Sequence, residues 1–223
     1  MYVDFNIPIK NKHSKSSIKE LINSEKSVHG PGKFYKRTQT FLKKNFGFKN
    51  VLLTNSCTSS LEIAALSLDL KPSDEIIIPS FSFITTGSSF ARTGAKIVYC
   101  DVDKKTCMPN FDEINDKITK NTKAIVILHY QGWSINFLDK LKKYCKSKKI
   151  YLIEDAAQAL GSKFKKKYLG TFGDLACLSF HETKNLHSGI GGCIVINNQK
   201  LLKKIRYIYD KGTNRFEQKQ KKN

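Results

Sequence analysis

The sequence of 223 residues lacks several features that would assign it to common classes of protein. No apolar run is long enough to cross a membrane, and no basic segment followed by an apolar one marks the N-terminus as a signal peptide. The six cysteines include no CxxC pair, and no cysteine–histidine spacing is typical of a metal site. We therefore expect a cytoplasmic protein with reduced thiols, without a metal centre or a disulfide framework.

Acidic residues are also scarce. The chain has 19 Asp and Glu against 39 Lys and Arg, which gives a formal net charge of +20. Such a charge attracts anions in general, including nucleotide-linked substrates, nucleic acids and anionic lipids. The lysines are spread over the whole chain, however, and no recognised nucleic-acid module accompanies them. We interpret the charge as a solvated basic surface and expect neither nucleic acid nor a membrane as partner. A basic binding protein for such surfaces stays open as a weaker alternative.

From about residue 50 onward, short apolar segments alternate with helical patterns. The segments are rich in β-branched residues and hardly alternate between polar and apolar, as in strands that are covered on both faces. The predicted strands are Val51–Thr54, Glu75–Pro79, Lys96–Cys100, Lys123–Leu128, Ile150–Ile153, Ala176–Phe180 and Gly192–Ile196. The predicted helices between and after them are Thr58–Leu68, Asn136–Lys146 and Leu201–Tyr209. This alternation predicts an α/β fold, with a mostly parallel sheet and helices on both faces.

The composition divides the chain into three parts. Residues 1–49 are more polar, and we predict an N-terminal arm with helices over Ser16–Ser24 and Phe34–Phe46. Residues 50–212 are predicted to form one large domain. Residues 213–223 are basic and have no periodicity, so we predict a disordered tail.

Two polar residues lie close to the ends of predicted strands. Asp155 follows the strand Ile150–Ile153, and Lys184 lies in a polar turn after Ala176–Phe180. A lysine that forms a Schiff base with an aldehyde, and a carboxylate that keeps a pyridine nitrogen protonated, are what a protein needs to hold pyridoxal phosphate. Taken singly, Asp155 would more often be a helix cap and Lys184 a solvated lysine. The cofactor hypothesis therefore depends on the whole set of residues.

Other candidate residues fall at the same edge of the predicted sheet, where open α/β sheets bind their ligands. The segment Thr54–Ser60 places small hydroxyl residues at a strand-to-helix junction, where free N–H groups and the helix dipole favour a phosphate. An aromatic in Pro79–Phe83, after another predicted strand, can stack on a flat ring. Gln158 lies one helical turn beyond Asp155. A helix cap and a core aromatic are the simpler alternatives for the first two.

Five stretches, in this order, are similar to those of the DegT/DnrJ-type sugar aminotransferases: Val51–Thr58, Pro79–Phe83, Glu154–Gln158, Ser179–Asn185 and Lys211–Arg215. The similarity runs from about Phe5 to Arg215. The resemblance implies the type I fold of pyridoxal-phosphate-dependent transferases, the fold of aspartate aminotransferase. It also implies L-glutamate as amino donor, a nucleotide-linked keto-sugar as acceptor, and a homodimer whose site lies at the dimer interface.

The resemblance also implies roles for single residues. Lys184 would bond covalently to the cofactor and shuttle a proton, and Asp155 would pair with the pyridinium nitrogen. Phe83 would stack on one face of the ring, and Gln158 would lie near the ring and its hydroxyl. The residues implied to hold the phosphate are Thr58, Ser59 and Ser179.

The sequence departs from the family pattern in two respects. Close relatives carry Gly-Glu-Gly-Gly where this chain has Gly189-Ile190-Gly191-Gly192, which predicts a change in local geometry or substrate contacts. Family members also continue beyond the length of this chain, so we expect the rest of the large domain and a small C-terminal domain to be missing. A truncated non-catalytic remnant, or half of a split enzyme, is the alternative to an active transaminase. A 4-keto-6-deoxyhexose is the implied acceptor, and a 3-keto-sugar stays open.

Overall fold

The strands predicted from the sequence form one seven-stranded sheet in the structure, a computed structural model that describes residues 7, 13–23 and 32–220. The strands are β1 (Val51–Thr54), β2 (Glu75–Pro79), β3 (Lys96–Cys100), β4 (Thr122–Leu128), β5 (Tyr151–Asp155), β6 (Lys163–Phe164), β7 (Lys167–Tyr168), β8 (Leu175–Ser179) and β9 (Gly192–Ile196). The sheet has the order β1-β9-β8-β5-β4-β2-β3, and β6 and β7 form a separate hairpin. The pairs from β8 through to β3 are parallel, whereas β9 runs antiparallel to β1 and β8. The prediction of a mostly parallel sheet is therefore confirmed.

The largest difference in strand boundaries bears on the site. The strand predicted as Ile150–Ile153 is observed as β5 and continues to Asp155. Pairing with β4 extends as far as Leu128 and Asp155, so the sheet fixes the backbone of both acidic residues at the end of β5.

Helices cover both faces of the sheet. The α-helices are α1 (Ser14–Ile22), α2 (Lys33–Phe46), α3 (Cys57–Ser67), α4 (Ile84–Ala91), α5 (Phe111–Asn115), α6 (Leu138–Lys148), α7 (Gln199–Tyr209) and α8 (Arg215–Gln220). Successive residues of a strand point to opposite faces, so Ile76 and Ile78 pack with α3, α4 and α7, whereas Ile77 packs with α2, α5 and α6. None of the helices within the described residues has the length and apolarity needed to span a membrane.

The two ends of the chain differ from expectation. Leu42 of α2 is 1% exposed and belongs to the core, so part of the predicted arm 1–49 packs on the large domain. In the predicted disordered tail, residues 215–220 form α8. Glu217 of α8 forms an ion pair with Lys203 of α7 at 3.2 Å, and its N–H donates to the carbonyl of Asn214. The ion pair joins α8 to α7. The other residues of the arm and tail predictions, 1–6, 8–12, 24–31 and 221–223, lie outside the described residues, and the domain boundaries stay predictions.

Because β9 runs antiparallel to its neighbours, it begins at the carboxyl edge of the parallel strands. The segment Gly189–Gly192, called the glycine segment below, therefore lies at that edge. The first residue of β9, Gly192, pairs with Thr54 of β1 and Ser179 of β8. A Cβ atom at Gly192 would lie 2.5 Å from the carbonyl carbon of Ser56 and 2.7 Å from the nitrogen of Cys57. Only glycine therefore allows the start of α3 to approach the sheet this closely.

A buried ion pair between Glu154 and His129 stabilises the sheet below this edge. The side chain of Glu154 accepts hydrogen bonds from His129 Nε2 at 2.9 Å and from the N–H groups of Gly170, Phe172 and Gly173 at 2.6–2.8 Å. Both side chains of the ion pair are fully buried. Burial raises the pKa of the Glu154 carboxyl, but the hydrogen bond and charge of His129, with the backbone donors, outweigh it and leave the pKa below its ordinary value.

We expect Glu154→Gln to lower the free energy of unfolding by on the order of 3 kcal/mol at pH 7. The amide loses the charge that the donors stabilise and places an NH2 group against N–H donors. Because the folded pKa is depressed, the stabilisation is present above the unfolded pKa of about 4.3 and is lost as pH falls through the folded pKa. Urea denaturation as a function of pH measures both effects.

Glu182→Gln is the matched control, because Glu182 is exposed and undergoes the same change. We expect this control to unfold like the wild type, and we expect the difference between Glu154→Gln and wild type to shrink below about pH 4. A control variant that loses as much stability, or a difference that does not depend on pH, would contradict the prediction.

Candidate active site

A cavity of about 650 Å³ opens at the carboxyl edge of the sheet. Its walls come from the segments that follow β1, β2, β4, β5 and β8, together with the glycine segment before β9. Six of the seven residues predicted from the sequence line it: Thr58, Phe83, Asp155, Gln158, Ser179 and Lys184. The parallel strands bring these residues together because their carboxyl ends meet at one edge.

The carboxylate of Asp155 forms part of the cavity floor and is 2% exposed. Its Oδ2 atom accepts a hydrogen bond from the Thr86 hydroxyl at 2.6 Å, and its Oδ1 atom accepts one from the N–H of Ala157 at 3.2 Å. Burial raises the pKa of Asp155 above its ordinary value, although these hydrogen bonds and the charges of His129 and Lys184 act in the opposite direction. A buried carboxylate that borders a cavity and interacts with a lysine is typical of a functional site.

The turn after β8 holds Lys184 at the cavity wall. Its backbone N–H donates to the carbonyl of His181, whose own N–H donates to Ser179 Oγ at 3.2 Å. The same turn is attached to the glycine segment, because the N–H of Phe180 donates to Gly191 and that of Glu182 to Gly189. Lys184 is half-buried. Backbone hydrogen bonds within the turn and to the glycine segment therefore fix the part of the cavity wall that carries the Lys184 amine.

The start of α3 forms the second polar part of the cavity. The first N–H groups of a helix have no partner within the helix, and Ser56 satisfies one of them by accepting from the N–H of Ser59 at 3.1 Å. The Thr58 hydroxyl lines the cavity and donates to Thr85 Oγ1 at 3.1 Å. Ser59 does not line the cavity, since its hydroxyl donates to Asn55 Oδ1 at 2.6 Å within the helix cap. Of the two hydroxyl residues implied for the phosphate at this helix, the structure brings only Thr58 to the site.

Aromatic side chains also line the cavity. Phe83, the residue before α4, is 67% exposed and borders the cavity. Phe81 packs edge to face against Tyr130, with ring centroids 5.0 Å apart. Gln158 also lines the cavity, and its Oε1 atom accepts from the N–H of Gln131 at 2.6 Å, which leaves its NH2 group to donate to a ligand.

The chemistry of this donor set fits pyridoxal phosphate. An amine that can bond to an aldehyde, a buried carboxylate, the N-terminus of a long helix and an exposed aromatic ring border a single cavity. These groups match the aldehyde, the ring nitrogen, the phosphate and the flat face of that cofactor, respectively.

Several residues at the site were not found from the sequence. Thr86 is fully buried and contacts Asp155, and Cys57 Sγ lies 4.0 Å from Asp155 Oδ1. The only signal for Thr86 was a hydroxyl residue one helical turn after Phe83, on a helix too short to show a clear pattern. Tyr130 and His181 also line the cavity. Ile190, in the departure from the family pattern, is 72% exposed at the cavity wall.

Comparisons with known proteins show which family the chain is similar to. The chain is 34% identical over 211 residues to the dTDP-4-dehydro-2,3,6-trideoxy-D-glucose 4-aminotransferase of Saccharopolyspora spinosa. The aligned residues cover 92% of this chain and 53% of that protein. It is 35% identical over 155 residues to the GDP-perosamine synthase of Escherichia coli O157:H7. This alignment covers 70% of this chain and 42% of that protein. The chain spans about half the length of the curated relatives it matches.

A solved structure of a GDP-4-keto-6-deoxymannose-3-dehydratase with a trapped PLP–glutamate geminal diamine superposes with a TM-score of 0.88 at 25% identity. The superposition covers 96% of this chain and 56% of the other. The sequence profile of one family matches residues 8–223, almost the whole chain. The chain therefore belongs to the DegT/DnrJ/EryC1/StrS aminotransferase family.

Proposed function

We propose that this chain supplies the cofactor site of a pyridoxal-phosphate-dependent transaminase, which transfers the amino group of L-glutamate to a nucleotide-linked keto-sugar. The observation that carries the proposal is the convergence of buried Asp155 and half-buried Lys184 on one cavity beside the start of α3. Membership of the aminotransferase family supports it.

When bound, the cofactor supplies an electron-accepting ring that stabilises negative charge on the carbon that loses a proton. The Lys184 amine would hold the aldehyde carbon, and as a free amine it would move a proton between the donor and acceptor carbons. The Asp155 carboxylate accepts a hydrogen bond from the ring nitrogen and keeps its proton in place. The orientation of both groups is set by the turn after β8 and by the end of β5.

The other site residues bind and orient the cofactor. The free N–H groups at the start of α3, with the hydroxyls of Thr58 and Ser179, bind the phosphate. Phe83 covers one face of the ring, and the Gln158 amide donates to the ring hydroxyl. Ser59 supports the helix cap in this scheme, because its hydroxyl donates to Asn55 and, unlike that of Thr58, does not line the cavity.

For the acceptor we propose dTDP-4-dehydro-6-deoxy-D-glucose, converted to dTDP-4-amino-4,6-dideoxy-D-galactose for a cell-surface polysaccharide such as enterobacterial common antigen. The family resemblance of Ser179–Asn185 and the other matched stretches supports this choice. The names of the relatives, which include dTDP- and GDP-linked sugars, support a nucleotide sugar in general. The excess of basic residues favours such an anionic substrate.

We also propose a cytoplasmic homodimer. All six cysteines are free, as is usual in a reducing compartment. Phe83, Ile84 and Ile190 are 67%, 74% and 72% exposed, and the first and third line the cavity. Large apolar side chains grouped at a cavity mouth are typical of a surface that another chain covers.

The cofactor site is tested by titrating the purified chain with pyridoxal phosphate. We expect a visible absorbance band and, after borohydride reduction, a cofactor-labelled peptide that contains Lys184. L-Glutamate added before reduction should prevent the Lys184 label, because its amine replaces that of Lys184, and should bleach the band as its amino group passes to the cofactor and the keto acid leaves. Lys184→Ala should abolish both the band and the label, since no other lysine lines the cavity within the described residues.

Lys166→Ala is the matched control, because Lys166 is an exposed lysine between β6 and β7. It should bind and label like the wild type. An equal label in Lys184→Ala would contradict the assignment of Lys184. A folded wild-type chain without any band would contradict the proposed cofactor site.

The proposed sugar acceptor is tested with cofactor-bound protein that has first been treated with L-glutamate, so that the protein carries the amino group. We expect dTDP-4-dehydro-6-deoxy-D-glucose to restore the visible band and to yield a 4-amino sugar detected by mass spectrometry. The matching GDP-linked 4-keto-6-deoxyhexose is the comparison. Faster recovery with the GDP sugar, or amination at C3, would overturn the proposed acceptor and leave the cofactor assignment intact.

A further inference from the structure

The hydroxyl of Thr86 in α4 forms a hydrogen bond that is unusual for a threonine in a helix. A threonine or serine in a helix commonly donates to a carbonyl of its own preceding turn, as Ser89 Oγ does to Thr85 O at 2.7 Å. Thr86, three residues earlier, is fully buried and instead donates across the structure to Asp155 Oδ2 at 2.6 Å. The helix α4 therefore carries one buried hydroxyl that is directed at the acid of the site.

We infer that Thr86 is a positioning residue, whose buried hydroxyl holds the Asp155 carboxylate in the orientation and charge state that a pyridinium nitrogen requires. The inference rests on the proposed function, because it assumes that Asp155 faces a pyridine ring. It assigns to α4 a part in cofactor binding that is separate from the ring-stacking aromatic at Phe83.

The first argument is geometric. The two carboxylate oxygens are held from different elements, Oδ1 by the N–H of Ala157 on its own loop and Oδ2 by Thr86 of α4. Rotation of the side chain would break both hydrogen bonds in a buried site, where an unsatisfied group costs free energy. Oδ1 also receives the Cys57 thiol at 4.0 Å, whereas Oδ2 keeps a second lone pair, so the carboxylate can accept from a ligand without losing either contact.

The second argument is electrostatic. Burial is the largest influence on Asp155 and raises its pKa, and the Thr86 hydrogen bond is the largest influence that lowers it. The other groups that act on the carboxylate are the charges of His129 and Lys184 and the thiols of Cys57 and Cys177. Both thiols have pKa values raised by burial and stay neutral, and the S–H group of Cys57 is a weak donor to Asp155 Oδ1 at 4.0 Å. Removal of the Thr86 hydroxyl therefore favours the protonated acid, which cannot pair with a pyridinium ion.

The test compares Thr86→Val, which removes the hydroxyl at nearly constant shape, with Thr86→Ser, which keeps it. Ser89→Ala is the matched control, because it removes a buried hydroxyl of α4 that bonds only within its own helix. The first measurement uses the full chain without cofactor. It follows the Asp155 carboxyl carbon in ¹³C-aspartate-labelled protein by NMR as a function of pH, with Asp155→Asn to assign the signal.

We expect Asp155 to titrate at higher pH in Thr86→Val than in the wild type, with Thr86→Ser and Ser89→Ala like the wild type. If Thr86→Val does not fold, Thr86→Ala takes its place, because the smaller side chain cannot clash. An Asp155 titration in the hydroxyl-free variant that matches the wild type would overturn the inference. So would an equal shift in Ser89→Ala, because the effect would then be a general loosening of α4.

The second measurement is the affinity for pyridoxal phosphate as a function of pH. Loss of a hydrogen bond to a charged group should weaken binding by Thr86→Val roughly tenfold near neutral pH. The loss should be greatest at low pH and should recover as pH rises through the raised pKa of Asp155, with Thr86→Ser restoring the wild-type profile. A loss that does not vary with pH would count against the inference. A wild-type chain that binds no cofactor would refute the proposed function, while the NMR titration still decides the role of Thr86.

Discussion

The buried carboxylate of Glu154 is the contact on which the site depends. Four donors from two segments, the end of β4 and the loop before β8, converge on this side chain in the middle of the sheet. A buried charge is costly when a partner is missing and acceptable when every lone pair is used, as it is here. The next residue along β5 is Asp155. The network that satisfies Glu154 therefore also fixes the backbone from which the acid of the site projects.

Two adjacent acids in one strand thus acquire opposite properties. Both are buried, yet the pKa of Glu154 is lowered and that of Asp155 is raised. Burial disfavours the charge of each, but Glu154 has a histidine and three backbone N–H groups, whereas Asp155 has one hydroxyl, one backbone N–H and the weak donor thiol of Cys57. The environment alone assigns a structural role to one carboxylate and leaves the other responsive to a ligand.

The elements that could be predicted from the sequence are those with local signals. Strands covered on both faces are continuous apolar segments, so the sheet was predicted, and strand ends placed Asp155 and Lys184 at one edge. Thr86 and His129 were not assigned, because their partners are distant in the sequence and only the folded chain brings them together. Ser59 was grouped with Thr58 because the sequence does not show which hydroxyls of a helix cap turn inward.

The described residues form the floor of the cavity, but they leave much of its mouth, where a cover would lie, exposed to solvent. The acid, the amine and the start of α3 are fixed by the sheet and by buried hydrogen bonds. At the mouth, by contrast, Phe83 and Ile190 present most of their surface to solvent. Holding a cofactor needs only the floor, whereas transfer of a proton at carbon also needs water to be excluded. We infer that cofactor binding depends on the floor and that sugar transamination depends on the cover as well, so the two have separable structural requirements.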